Sequence, residues 1–292
     1  MPSRRSPAPE GAKSAASDEL INTFVMRPLA AVLVRRLVST SIRPNHLTIA
    51  SGIAGCLAAA LYLPGTRTLT LAAGLCVTLK DLLDTADGQL ARAQHTGSRS
   101  GRFLDSLVDV LVNALVFAAF SVALFMNGFS GWVLLLGALA FVGTTLRVSY
   151  HVFYQTSYLH LYHAYELNRV SEHVQEGDVL ADAGTLRLQR LFQRIYGWQD
   201  RLMIRLDAWC RGGGASSAEQ RAVWFTDPLA LRLTGLLGLA TELFVLMAFS
   251  LFDRLHIYLA VNIIALNAVW ALSILYRRVV VRRRLRPQAG EA

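Results

Sequence analysis

The sequence predicts an all-α polytopic membrane protein, with six transmembrane helices and an N-terminal amphipathic helix at the membrane interface. Hydrophobic residues make up 53% of the 292-residue chain and charged residues only 17%, a more apolar balance than soluble domains have. The apolar residues are bunched into windows of about 18 to 25, the length of helix that crosses a bilayer. Lys and Arg gather at both ends of the chain, as they do on the cytoplasmic side of membrane spans.

From the N-terminus, residues 1–17 are rich in Pro, Ser and Ala, lack the apolar core of a signal peptide and read as a disordered tail. Over 18–43, Leu20, Ile21, Phe24, Val25, Leu29, Val32, Leu33 and Leu37 recur at helical spacing beside Arg27, Arg35 and Arg36, and Pro28 is expected to break the run. A helix lying on the membrane and a helix packed on the protein's own bundle both fit this pattern. The membrane domain proper spans 44–277. Its six windows run near 46–64, 68–94, 101–127, 130–152, 227–252 and 256–277. The second is unusual, because its uniformly apolar part ends at Leu79 and is followed at once by Lys80 and a run of carboxylates.

The basic segments before residue 45 and over 278–292 place both termini in the cytoplasm, in the cell's inner membrane. The three outer loops, "PGTRT", "MNGFSG" and "FDRLH", then hold only Arg67 and Arg254 as basic residues. A formal charge of +9 therefore indicates attraction to anionic lipid rather than nucleic acid, since no aromatic-interleaved basic platform accompanies it. Cys56, Cys76 and Cys210 lack metal-ligand spacing and imply neither a disulfide nor a zinc site. A cytoplasmic insertion over about 151–222 has helical patterns at Tyr158 to Val174 and Thr185 to Cys210, with a break at "RGGGASS". Its scattered His160, His163 and His173 read as ordinary polar residues.

The chemistry concentrates in "DLLDTADGQLARAQHTGSRSGRFLDSLVDV", from Asp81 to Val110, with five carboxylates. Asp84 and Asp87 are three apart and Asp105 and Asp109 four apart, so each pair projects from one helix face. Two helices joined at "QHTGSRS" would bring these four acids together near the cytoplasmic surface. Such acids stay partly protonated or gather cations, and an all-oxygen ligand set suits two Mg2+ or Mn2+ ions, a device of phosphoryl chemistry. Gly88 and Ala91 leave the acidic face bare for a ligand to approach, Arg92 can neutralise a diphosphate, Ser98 can donate to phosphate, and Gly101 lets the second helix come close.

The pattern Asp84-x2-Asp87-Gly88-x2-Ala91-Arg92-x8-Gly101-x3-Asp105-x3-Asp109 resembles the complete signature of the CDP-alcohol phosphotransferase family. The resemblance implies a homodimeric membrane enzyme that transfers a phospho-alcohol unit from a CDP-linked donor to a hydroxyl acceptor and releases CMP. It implies that Asp84, Asp87 and Asp105 hold one metal, that Asp84, Asp105 and Asp109 touch a second, and that Asp109 is the general base. It assigns Gly88, Ala91, Arg92, Ser98 and Gly101 to the CDP donor. "PNHLT" matches a shorter family element whose Asn45 and Thr48 would line the nucleotide site. Outside the signature, Asp81 is expected in a structural ion pair, with Arg147 or near Lys80. Arg147 is a candidate for holding an anionic acceptor, or a surface-snorkelling arginine. An acceptor role for Arg147 favours CDP-diacylglycerol as donor. Two other classes fit less of the pattern: an aspartate-rich intramembrane prenyltransferase, which needs a second acidic motif where only Asp227 and Glu242 occur, and a divalent-cation transporter, which needs polar groups toward the outer side.

Overall fold

The computed structural model describes residues 17–162, 183–213 and 217–285, and these are helical with no strand. The expected tail over 1–16, the pattern from 163 to Val174 with His163 and His173, and the last seven residues lie outside the described residues. A π-helical turn, Asn22–Met26, leads into α1 (Arg27–Leu37). Pro28 does not break the run as expected. It sits in the first turn of α1, where the missing N–H costs little, and the wider π turn before it re-registers the hydrogen bonds. One face of α1, with Ala30 and Val34, packs on Leu47, Ala86 and Leu90, while Phe24, Leu29 and Val32 face outward.

Three helices follow, α2 (Pro44–Tyr62), α3 (Arg67–Ala93) and α4 (Arg99–Met126), and they pack on one another as the centre of the protein. α2 starts on Pro44, with the Arg43 N–H donating to His46 Nδ1 at 3.2 Å. α4 starts on Ser98, whose Oγ accepts the Gly101 N–H at 3.1 Å. A Cβ at Gly52 would lie 2.9 Å from Val108 Cγ1, and one at Gly55 would collide with Val112. Bare backbone on α2 is therefore what lets α4 come close.

α5 (Trp132–Leu161) runs nine residues past its expected end, because Tyr154, beyond the apolar window, is buried with Tyr150 against Met203 and Leu237. The end of α5, α6 (Ala183–Arg211) and most of α7 (Ala218–Thr226) make up the described part of the insertion. The window expected at 227–252 is two helices, α8 (Pro228–Gly235) and α9 (Leu239–Leu251), bent by 45° at the break between Gly235 and Gly238. α10 (Leu255–Arg284) continues through two π turns into the segment expected as a tail.

Four of these helices, α2, α4, α5 and α10, are long and apolar enough to cross a membrane, and the bent pair α8 and α9 would make a fifth. α3 has the length, at 27 residues, but Lys80, Asp81, Asp84, Asp87 and Arg92 make it too polar to qualify.

Two buried polar arrangements tie the outer helices to one another. Arg147 on α5 donates to Glu242 Oε2 on α9 at 2.8 Å, to Thr144 Oγ1 at 3.1 Å, and to Asn262 O and Asn267 Oδ1 on α10 at 3.2 and 2.6 Å. Tyr258 and Asn262 donate to the other Glu242 oxygen at 2.5 and 2.6 Å. The expected pairing of Asp81 with Arg147 is therefore wrong, and Arg147, 1% exposed, neither snorkels nor offers its donors to an acceptor. Arg147→Met should cost about 3–5 kcal/mol by stranding a buried carboxylate, and the double variant with Glu242→Leu should recover most of it. Denaturant unfolding in detergent micelles reads both.

The second arrangement is the N-terminal segment Ser17 to Glu19, which is buried although Ser17 was expected in the tail. Asp18 takes an ion pair from Arg27 at 2.7 Å and a hydrogen bond from Gln155 at 3.1 Å. Glu19 Oε2 accepts the Thr241 N–H at 2.9 Å in the first turn of α9. Burial pushes the Glu19 carboxyl up to about 8, the Thr241 N–H opposes that rise, and the charges of Asp81 and Asp18 add to it. Between the ordinary glutamate range and pH 8 the folded chain therefore holds a proton that the unfolded chain has lost, so stability falls as pH rises through that window. Thermal unfolding of Glu19→Gln, measured from pH 5 to pH 8.5, should show a flatter decline than the parent protein.

Candidate active site

The acid cluster forms where the cytoplasm-predicted ends of α3 and α4 face each other. Asp84 and Asp87 come from α3 and Asp105 from α4, and one carboxylate oxygen of each lies within 4.8 Å of the others. Asp87 is buried and the other two are half-buried. Asp84 Oδ1 is buried with no hydrogen-bond partner, a costly state for a carboxylate oxygen. Three converging carboxylates with an orphaned oxygen fit a hard divalent cation such as Mg2+ or Mn2+. They are the one group of three or more potential metal ligands among the described residues.

Asp109 lies outside that group and forms an ion pair with the buried Lys80 of α3. Asp81, one turn deeper, is buried, and its Oδ2 has no hydrogen-bond partner.

The remaining predicted residues surround this centre. Thr48 Oγ1 on α2 donates to Asp87 Oδ2 at 2.6 Å, so it orients the Asp87 carboxylate. A Cβ at Gly88 would meet nothing nearer than the Arg92 guanidinium at 3.5 Å, so this helix face is open as expected. Gly101, Ser98 and Asn45 come together: a Cβ on Gly101 would lie 3.1 Å from Ser98 Oγ and 3.2 Å from Asn45 Oδ1. Ala91 is half-buried at the end of α3, and its carbonyl accepts the Thr96 N–H at 3.0 Å in the turn to α4. His95 adopts the left-handed conformation there, at φ 52°. Arg147 is the exception, tied to Glu242.

Two neighbours were not assigned by sequence reasoning. Lys80 precedes Asp84 by four residues and so shares its face, a signal present in the sequence. Tyr196 of α6 donates from its hydroxyl to the Ser106 carbonyl at 2.8 Å, beside Asp105. Its separation of 90 residues from Ser106 left no local signal.

Residues 41–160 match the family described as CDP-alcohol phosphatidyltransferase. This stretch is similar to a CDP-alcohol phosphatidyltransferase domain. It contains α2 to α5 nearly whole, and α6 to α10 lie beyond it. Over 100 residues the chain is 37% identical to a phosphatidylinositol phosphate synthase of Streptomyces avermitilis, covering 34% of this chain and 38% of that one. An archaetidylinositol phosphate synthase of Pyrococcus horikoshii is 35% identical over 96 residues, 33% of this chain and 49% of that one. A bifunctional IPC transferase and DIPP synthase of Thermococcus kodakarensis is 33% identical over 103 residues, 34% of this chain and 23% of that one. The chain thus matches about half or less of the length of each relative.

Because Thr48 fixes the orientation of the Asp87 carboxylate, Thr48→Val should weaken Mn2+ binding about 10- to 100-fold if Asp87 ligates the ion. Titration of the purified protein followed by the electron paramagnetic resonance of free Mn2+ checks this.

Proposed function

We propose that the protein is a phospholipid-biosynthesis enzyme that transfers a phospho-alcohol group from a CDP-linked donor to a hydroxyl acceptor, with release of CMP. The observation that carries this reading is the convergence of Asp84, Asp87 and Asp105, within a complete family signature, around an unpartnered carboxylate oxygen. A divalent ion held there would neutralise the donor's diphosphate and stabilise the charge that develops on the leaving group. Asp84, Asp87 and Asp105 would be its ligands. A second ion would touch Asp84, Asp105 and Asp109.

The chain's own groups supply the rest. The open Gly88 face and Ala91 let the nucleotide lie against α3, Arg92 faces its phosphates, and Asn45, Ser98 and Gly101 form the opposite edge of the cleft. Asp109 takes the proton from the acceptor hydroxyl as that oxygen bonds to the β-phosphorus and the bridging bond to CMP breaks. Lys80 orients the Asp109 carboxylate.

With Arg147 committed elsewhere, support for CDP-diacylglycerol as donor shifts to the names of the relatives, two of which are synthases of lipid-linked inositol phosphates. α3 would be the polar sixth span, α1 would lie at the interface with Phe24, Leu29 and Val32 toward lipid, and both termini would be cytoplasmic. The family resemblance carries a homodimer. A prenyltransferase would need a second acidic motif, yet Asp227 caps α8 and pairs with Arg284, and Glu242 pairs with Arg147.

Asp84→Asn and Asp109→Asn separate the two roles, since both keep size and remove one charge. Asp84→Asn should lose both donor binding and CMP release. Asp109→Asn should keep much of the donor affinity and lose about 10²- to 10⁴-fold in turnover. Donor affinity and CMP release on the purified variants test this; no metal-dependent CMP release from any CDP-alcohol by the parent protein would overturn the reading.

A further inference from the structure

The insertion helix α6 lies outside the matched family domain and presents a surface with no role in the proposed reaction. Successive residues of α6 meet successive spans. Phe192 packs on Phe103 of α4 with ring centroids 5.2 Å apart, and Tyr196 bonds Ser106 of α4. Gln199 bonds Ser149 of α5, Asp207 accepts from Tyr154 of α5 at 3.0 Å, and Trp209 lies under the Arg278 guanidinium of α10 at 3.4 Å. Phe103 and Ser106 lie at the start of α4, Ser149 and Tyr154 in the second half of α5, and Arg278 near the end of α10. α6 thus contacts all three, and the bond from Tyr196 to Ser106 sets it beside Asp105 of the acid cluster.

Its outward face has a composition suited to that level. Arg187, Arg190, Arg194, Arg201 and Arg205 are exposed, and none has an ion pair or hydrogen bond among the described residues. Between them, Trp198 and Leu202 are 45% and 40% exposed. Neither acid of α6 is exposed: Asp207 is buried and Asp200 half-buried. A face turned to bulk water gains nothing from tryptophan and leucine, and one turned to acyl chains would not carry five arginines. The headgroup layer accommodates both, with the rings at the interface and the guanidinium groups on phosphate.

We infer that the outward face of α6 is a docking surface for acidic phospholipid headgroups of the leaflet that adjoins the acid cluster. Arginines with no acidic partner among the described residues select anionic over zwitterionic lipid. The inference stands apart from the proposed reaction, since it uses none of the signature residues.

The test uses the full chain in nanodiscs containing phosphatidylcholine and phosphatidylglycerol, with one of the two lipids brominated near the top of its acyl chains. The emission of Trp198 is isolated as the difference between the parent protein and Trp198→Phe. At equal mole fraction, brominated phosphatidylglycerol should quench it about twofold or more in excess of brominated phosphatidylcholine. The excess should fade at high ionic strength and vanish when Arg190, Arg194, Arg201 and Arg205 are all changed to Gln, exposed positions whose replacement leaves the buried face of α6 intact. Quenching by neither lipid would put the face in water or against another protein, and equal quenching by both would mean contact without headgroup selection. Either result overturns the inference.

Discussion

Repulsion among Asp84, Asp87 and Asp105 is the constraint on which the rest of the structure depends. With carboxylate oxygens within 4.8 Å of one another, each ionised pair costs about 3 kcal/mol at an effective dielectric of ~20. Helix packing must hold the three together against that cost. α2 supplies the packing: bare backbone at Gly52 and Gly55 admits Val108 and Val112 of α4, the helix that carries Asp105 and Asp109 on its adjoining turns. Thr48, on the same helix, spends its hydroxyl on Asp87. Lys80 answers the fourth acid from within the protein, and the three remaining carboxylates are left for a cation to balance.

Away from the cluster, charge is handled by the opposite strategy. Arg147 and Glu242 are almost fully buried, and nearly every polar atom around them is engaged. Such a network binds no ligand without being dismantled. It ties α5, α9 and α10 together in a region where apolar side chains alone specify little about which helix meets which. The segment Ser17 to Glu19 extends the same logic to the N-terminus, filling the bend between α8 and α9 with an acid on the first turn of α9. The protein thus joins a neutral polar scaffold to an acid cluster with spare negative charge, and only the second is arranged to receive something from outside.

What the sequence revealed follows from which signals are local. Helices α2, α4 and α5 were legible because each is a long apolar run between turn residues, and the acid pairs because spacings of three and four fix one helix face. Asn45 was legible through "PNHLT", a motif that lies next to Gly101 only after α2 packs on α4. Long-range pairings were not legible: Arg147 and Glu242 are 95 residues apart in the chain, and pairing them requires the rotation of two helices about their axes. Pro28 misled because a π turn, which has no sequence signature, absorbs it. The bend in the fifth window did have a signal, Gly235 and Gly238, masked by the continuous apolarity of "LLGLA".

The central claim is that Asp84, Asp87 and Asp105 form a divalent-metal site in which a CDP-linked donor is held. Anomalous scattering at the manganese edge, from crystals grown with Mn2+ and CDP, tests it most directly. The account predicts a manganese peak among these three carboxylates, with the CDP phosphates beside it on the Gly88 face of α3. A manganese peak elsewhere, or CDP bound away from that face, would contradict it.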